Sequence, residues 1–217
     1  MPQTGSGCNR VSRGKVNAQA KVGHWALEGV ALAALEAGPQ PFLDCAMPAT
    51  PEDLFALLDR LGIVHETQHH PAVFTVEESK TLRGKLPGAH VKNLFLKDKK
   101  SRFFLITALE NAAIDLKTIH QEIGGQGRVS FGSADQLMGR LGVEPGSVTP
   151  FALINDRDKA VTFILDARLM DYDRINAHPL RNTMTTGVSR TDLFRFFAEM
   201  GHEPMLIAFP AREAVDA

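Results

Sequence analysis

The stretch His90-Val91-Lys92-Asn93-Leu94-Phe95-Leu96-Lys97-Asp98-Lys99-Lys100-Ser101-Arg102-Phe103-Phe104-Leu105-Ile106-Thr107 sets the fold class. Val91 to Leu96 and Phe103 to Thr107 are short apolar and aromatic runs with strand composition. Asp98-Lys99-Lys100 between them is polar and suits a turn, so the stretch predicts a β-hairpin. Alternation along the first strand puts Lys92 on the face of Leu94 and Leu96. A cation along an apolar face has two readings: a strand-end lysine whose ammonium snorkels to water, or a cation held for function.

Upstream, Thr50 caps a predicted helix with Pro51 in its first turn, Leu54, Leu57, Leu58 and Leu61 at helical spacing, and Gly62 as its stop. Ile63 to His69 reads as extended, and His70-Pro71 turns the chain. Thr75-Val76-Glu77-Glu78 is a capping box that opens a second helix running towards Lys85, stopped by Pro87-Gly88. Downstream, short helices are expected over Leu116 to Ile123 and Ala134 to Leu141, the latter capped by Ser133. A second hairpin is expected to join Phe151 to Ile154 with Val161 to Leu165 across Asn155-Asp156-Arg157-Asp158. Ser189 caps a last helix ending near Gly201, and Met205 to Phe209 supplies a last strand. Strands thus occur both as hairpin pairs and next to helices. The expected fold is α/β (α+β): one compact domain with a central mixed sheet flanked by helices.

Composition narrows the function. The 217 residues are 44% hydrophobic and 23% charged, enough for one core plus an appendage. A formal charge of -1 excludes a protein that grips long stretches of nucleic-acid backbone, so a nucleic-acid partner would be met locally. Cys8, Cys45 and the single tryptophan, Trp25, precede Met47, which removes disulfide and thiolate chemistry from the rest of the chain. Residues 1–46 are Gly/Ala/Ser-rich and are expected to be an N-terminal extension with little fixed structure, the domain proper being 47–217. Their apolar stretch from Trp25 is broken by Glu28, so neither a signal peptide nor a membrane span is expected, and the expected location is cytoplasmic.

Besides Lys92, two segments could carry chemistry. Gly146-Ser147-Val148-Thr149-Pro150 has a flexible start and a rigid end, and such a loop can aim backbone N–H groups into a cleft as oxyanion donors. It also fits an ordinary loop. Asn176-Ala177-His178-Pro179-Leu180-Arg181-Asn182-Thr183-Met184-Thr185-Thr186 is dense in hydrogen-bonding side chains, as either a site loop or a polar surface loop would be. His65, His69 and His70 have no acidic or thiol partner at metal-ligand spacing and read as exposed histidines at a strand end. No nucleophile elbow, Walker loop or dinucleotide fingerprint is present. Gly124-Gly125-Gln126-Gly127 reads as a helix stop and turn.

Taken in order, Thr75-Val76-Glu77-Glu78 after His70-Pro71, the Lys92-to-Asp98 strand, Gly146 to Pro150, and His178-Pro179 with Asn182 and Thr185 resemble the YbaK/ProX family of aminoacyl-tRNA editing domains. Within it the chain is similar to the freestanding deacylases of Ala-tRNA(Pro), relatives of the editing domain inserted in bacterial prolyl-tRNA synthetase. The resemblance runs from about Thr50 to Phe209 and implies the same compact α/β domain. It assigns Lys92 to hydrolysis and places the loop from Gly146 and Ser147 through Val148, Thr149 and Pro150 at the substrate carbonyl. His178 would border the amino-acid pocket, with Asn182 also at the substrate, while Asn93 and Thr75 would lie near the terminal adenosine. Phe74 and Leu94 would help to set the pocket's volume.

The implied partner is the acceptor end of tRNA(Pro) carrying alanine, with transient contact to prolyl-tRNA synthetase or an elongation factor, no metal and no cofactor. A basic set of Lys80, Arg83, Lys85, Lys97, Lys99 and Lys100 would meet the tRNA. An aminoacyl ester is already activated, so a positioned water and a stabilised oxyanion suffice, with the tRNA's ribose hydroxyl assisting. Lys92 could anchor phosphate, polarise the ester or, if desolvated, act as a base. This reading expects Lys92 and the loop amides to face one small cavity. Two alternatives stand beside it: a deacylase for another small residue such as cysteine on tRNA(Pro), and a non-catalytic tRNA-binding module.

Overall fold

The computed structural model describes residues 47–72 and 86–212. The expected helix from Thr75, and with it Phe74, Thr75, Lys80, Arg83 and Lys85, lies outside the described residues, as does the 1–46 extension. Helix α1 (Pro51–Arg60) begins on a reciprocal cap: Thr50 Oγ accepts from the Asp53 amide, and the Asp53 carboxylate accepts from the Thr50 amide. Its Leu54, Leu57 and Leu58 are buried.

Strands β1 (His65–His69), β2 (Ala89–Lys97) and β3 (Phe103–Leu109) follow, then the short helix α2 (Ile119–Glu122), strand β4 (Ser130–Phe131) and helix α3 (Ala134–Leu141). Helix α3 starts on a Ser133–Gln136 capping box and ends at Gly142, whose φ of 62° is a left-handed conformation that glycine adopts without strain. The remaining elements are a 3-10 helix (Pro150–Asn155), β5 (Val161–Asp166), a 3-10 helix (Ala167–Asp171), β6 (Arg174–Ala177), β7 (Met184–Ser189), α4 (Arg190–Glu199, capped by Ser189) and β8 (Met205–Ile207).

The strands form one mixed sheet in the order β1-β7-β6-β2-β3-β5-β8, with β4 added to β2. The β2–β3 hairpin is present as the sequence requires, in register Val91↔Leu109 to Lys97↔Phe103. Strand β3 is buried at every position because strands flank it on both sides and side chains cover both faces.

Side-chain alternation divides the core in two. Phe95, Phe103, Leu105, Phe163 and Leu165 face the larger cluster, closed by α1, α3, the first 3-10 helix and α4. Leu96, Phe104, Ile106 and Ile164 face a smaller one, closed by Ile119, Ile123 and Phe209. Each fully buried leucine or phenylalanine here contributes roughly 1.5–3 kcal/mol.

The structure corrects three expectations. Phe151 to Ile154 is not a strand: Pro150 opens a 3-10 turn, the Thr149 hydroxyl caps it from Phe151 N, and all four side chains are buried. A fully buried apolar run has no polar face, so its periodicity cannot separate helix from strand. With that partner gone, β5 pairs parallel with β3 and there is no second hairpin. The helix expected over Leu116 to Ile123 contracts to Ile119–Glu122. Finally, Arg174–Ala177, partly read as loop, is a four-residue strand held on one side by β7 and on the other by the first two residues of β2.

Candidate active site

Strand β2 changes partner along its length, and this positions the site. Only Ala89 and His90 pair with β6, opposite Ile175 and Asn176; from Val91 onwards the strand pairs with β3. Lys92 therefore stands two residues beyond the last β2–β6 rung on one strand, and His178 two residues beyond it on the other. Ile175 and Ala177 belong to the larger core, so Asn176 at the last rung takes the opposite face of β6.

Lys92 is half-buried, on the face of Leu94 and Leu96 as expected, and its ammonium donates to the Ala112 carbonyl. Burial lowers its pKa from the ordinary lysine value. The guanidiniums of Arg212 and Arg168 lower it further, against the raising effect of Glu110 and Asp166. Asp166 is fully buried. Its oxygens accept from the amides of Leu109 (3.2 Å) and Arg168 (3.1 Å) and from the Arg168 guanidinium at Nε (3.3 Å) and Nη2 (3.0 Å).

On the neighbouring strands, His178 Nδ1 donates to the Met184 carbonyl (2.8 Å), which makes Nε2 the acceptor of the neutral ring. His70 lies beside it, ring centroids 6.1 Å apart. It donates from Nδ1 to the Pro71 carbonyl and accepts at Nε2 from the Thr185 hydroxyl (2.9 Å). His70 is thus a half-buried, fixed ring and not the exposed strand-end histidine expected from sequence. Asn93 takes the other face of β2, where its Oδ1 accepts from the buried Thr107 hydroxyl at 2.7 Å.

The glycine-to-proline loop is ordered by few bonds. Gly146 has φ of 90° and permits the turn. Ser147 is buried, its amide donates to the Glu144 carbonyl, and its hydroxyl accepts from the Asn182 amide at 3.2 Å. Val148 packs on the larger core, Thr149 caps the 3-10 helix, and Pro150 is its first residue. Among the described residues no partner accepts from the amides of Val148 and Thr149.

Of the residues expected at one site, then, Ser147 and Asn182 meet directly, and both line a cleft of about 480 Å³ between the start of α1, the end of α3 and the 180–183 turn. Lys92, Asn93 and His178 are not in its lining. Lys92 lies towards the smaller core's face of β2 and the loop towards the larger core's, so the expected single small cavity between them is not formed; alternation along β2 sets the lysine on the face opposite the one the loop packs against. The sequence did not point to Asp166, Arg168 or Glu110, and it placed His70 only in a turn with Pro71 and as an exposed histidine at a strand end. The one signal was an acid closing an apolar strand, Val161-Thr162-Phe163-Ile164-Leu165-Asp166, with an arginine two residues on.

The model of the aminoacyl-tRNA editing domain matches residues 70–196, spanning His70, Lys92, the loop, Asp166 and His178. The chain belongs to the aminoacyl-tRNA editing domain family. Membership makes it an aminoacyl-tRNA deacylase. It is 36% identical to "Prolyl-tRNA synthetase associated domain-containing protein 1" of Xenopus laevis over 162 residues, covering 73% of this chain and 96% of that one. It is 34% identical to "Prolyl-tRNA editing protein ProX" of Acetoanaerobium sticklandii over 150 residues, covering 69% and 91%. The fold is shared with the crystal structure of a candidate trans-editing enzyme for prolyl tRNA synthetase, at a TM-score of 0.56 and 17% identity, covering 79% of this chain and 98% of that one. No described helix is long and apolar enough to cross a membrane.

Proposed function

We propose that this editing domain acts in trans on tRNA(Pro) and removes alanine wrongly attached to it. The observation that carries the reading is Lys92: a half-buried ammonium held on a carbonyl oxygen, with His178 just beyond the end of β6. Similarity to a prolyl-tRNA editing protein supports tRNA(Pro) as the substrate. A synthetase pocket shaped for proline cannot strongly exclude a smaller residue, so a second site that admits only small acyl groups corrects the error.

In the reaction, water attacks the ester carbonyl, the oxyanion takes donors from the chain, and the C–O bond breaks as the ribose oxygen regains a proton. Lys92 offers a cationic donor to the carbonyl or the adjacent phosphate. The amides of Val148 and Thr149, from which no described residue accepts, are the proposed second donor set. Each well-aimed donor is worth about 3–4 kcal/mol in such a transition state. His178 and Asn182 border the acyl pocket, Phe74 and Leu94 help to set its volume, Thr75 and Asn93 serve the terminal adenosine, and no metal takes part.

The test is a panel of charged tRNAs incubated with the purified chain without added metal. Alanine is expected to leave tRNA(Pro) much faster than proline does. Faster release of cysteine would reassign the acyl specificity. Tight tRNA binding with no release of any amino acid would leave a binding module and overturn the reading.

A further inference from the structure

Lys92 has two carboxylates as neighbours, Glu110 just beyond β3 and Asp166 at the end of β5. Its cross-strand partner on β3 is Ala108, and Asp166 comes one residue after the last β3–β5 rung, Thr107↔Leu165. The lysine, the small alanine and the acid thus follow one another across three strands, and alternation from Leu96 and Ile164 gives Lys92 and Asp166 the same face. A buried carboxylate on the lysine's own face is the natural trap for an ammonium. Yet the Lys92 ammonium donates to the Ala112 carbonyl. Both Asp166 oxygens are bonded to Arg168, Oδ1 to its Nε and Oδ2 to its Nη2, and the amides of Arg168 and Leu109 complete the set. The other charged neighbour, Arg212, is brought in by the C-terminal segment, where its amide donates to the Asn111 carbonyl.

We propose that Arg168 is a positioning residue for Lys92: by holding both oxygens of Asp166 it denies the ammonium that carboxylate and leaves Lys92 directed at carbonyl oxygens. This rests on the reading of Lys92 as the hydrolytic lysine. A carbonyl is a neutral acceptor and gives up the ammonium to a substrate ester far more readily than a buried carboxylate does. Only a planar fork with a fixed charge can hold both acid oxygens in this way, which suits arginine and not lysine.

The test reads Lys92 directly, by NMR titration of its side chain in the full chain, beside the pH profile of deacylation. Arg168→Gln should release Asp166 to Lys92 and move the Lys92 titration to higher pH, the same way that loss of the guanidinium charge acts. Asp166→Asn, which leaves Arg168 bare, should move it to lower pH. Asp166→Asn with Arg168→Gln removes a neutral pair and should return it close to the original position. In Arg168→Gln, kcat should fall on the order of 10²-fold, as for a displaced catalytic group, with KM for the charged tRNA little changed. Arg168→Lys should recover only part of that.

A Lys92 titration unmoved in Arg168→Gln, or a double variant displaced as far as that single one, would overturn the proposal. If Arg168→Gln does not fold, the downward shift in Asp166→Asn and its cancellation in the double variant decide the matter. Failure of the unaltered chain to release any amino acid would sink the hydrolytic reading, whereas the titration pattern judges the Arg168–Asp166 pairing by itself.

Discussion

The two ends of the β2–β3 hairpin each bury an aspartate against an arginine, and they do different things. At the turn, Asp98 accepts from the amides of Lys100 (2.8 Å), Arg102 (3.0 Å) and Gln126 (2.9 Å) and from Arg102 Nε (2.8 Å). Arg102 also reaches the Gly124 carbonyl, so the pair pins the hairpin to the Gly124–Gly127 turn. The lysines beside it, Lys99 and Lys100, are exposed. At the opposite end, Asp166 is satisfied in nearly the same way, but a half-buried lysine shares its face. A buried acid with filled oxygens is a structural fixture in both places. It acquires an electrostatic role only where a partly desolvated cation stands nearby.

The largest expected effect tests the Lys92 end. Lys92→Ala should lower the deacylation rate by about 10²-fold or more while the melting temperature holds, as for loss of a group acting in the transition state. A loss of fold in place of a loss of rate would make Lys92 a structural residue like Asp98 and break the contrast.

Asp98→Asn should do the reverse, costing roughly 2–3 kcal/mol in denaturant unfolding, since hydrogen bonds to a charged group are among the stronger ones, and leaving kcat unaltered. The acid limb sharpens this. Burial pushes the Asp98 carboxyl up, but its bonds to the amides of Gln126 and Arg102, the Arg102 side chain and the Lys100 amide outweigh that and hold it well below the usual carboxylate range. A depressed folded-state pKa gives stability that is fully present above the unfolded value of about 4 and is lost as pH falls through the folded one. Unfolding measured across that acid range should therefore lose part of its pH dependence in Asp98→Asn.

A smaller effect is expected between the two ends. Gly146→Ala places a side chain at φ of 90° and should cost on the order of 1–3 kcal/mol of stability. Deacylation should slow as well, because the Val148 and Thr149 amides are re-aimed. Smallest of all, Lys99→Ala and Lys100→Ala should stay within about 0.5 kcal/mol in stability. Any effect on tRNA should be a uniform weakening with a shallower salt dependence, read by filter binding at several ionic strengths.

Part of the site was legible because it is local. Lys92 on an apolar face, the glycine and proline that bound the 146–150 loop, and the polar 176–186 segment can each be found by spacing and residue type. The same holds for the caps at Thr50, Ser133 and Ser189, where a side chain bonds an amide three residues on. The strand status of Arg174–Ala177 was not legible, since four residues carry little periodicity and its ladder comes from distant strands. Nor was the 3-10 helix at Pro150, which burial on all sides disguises as a strand. His70 shows the same limit, because its fixed orientation depends on Thr185 across the β1–β7 pair.

Residue order by itself determined the hairpin, the mixed arrangement of strands and helices, the lysine to suspect and the editing family to which the chain belongs. Tertiary structure alone decided which charges surround that lysine and which face of the sheet it takes relative to the glycine-to-proline loop. Hydrogen-bonded caps and turns join residues a few positions apart. The field at Lys92, by contrast, is set by Glu110, Asp166, Arg168 and Arg212, which only the folding of β3, β5 and the C-terminal segment brings beside it.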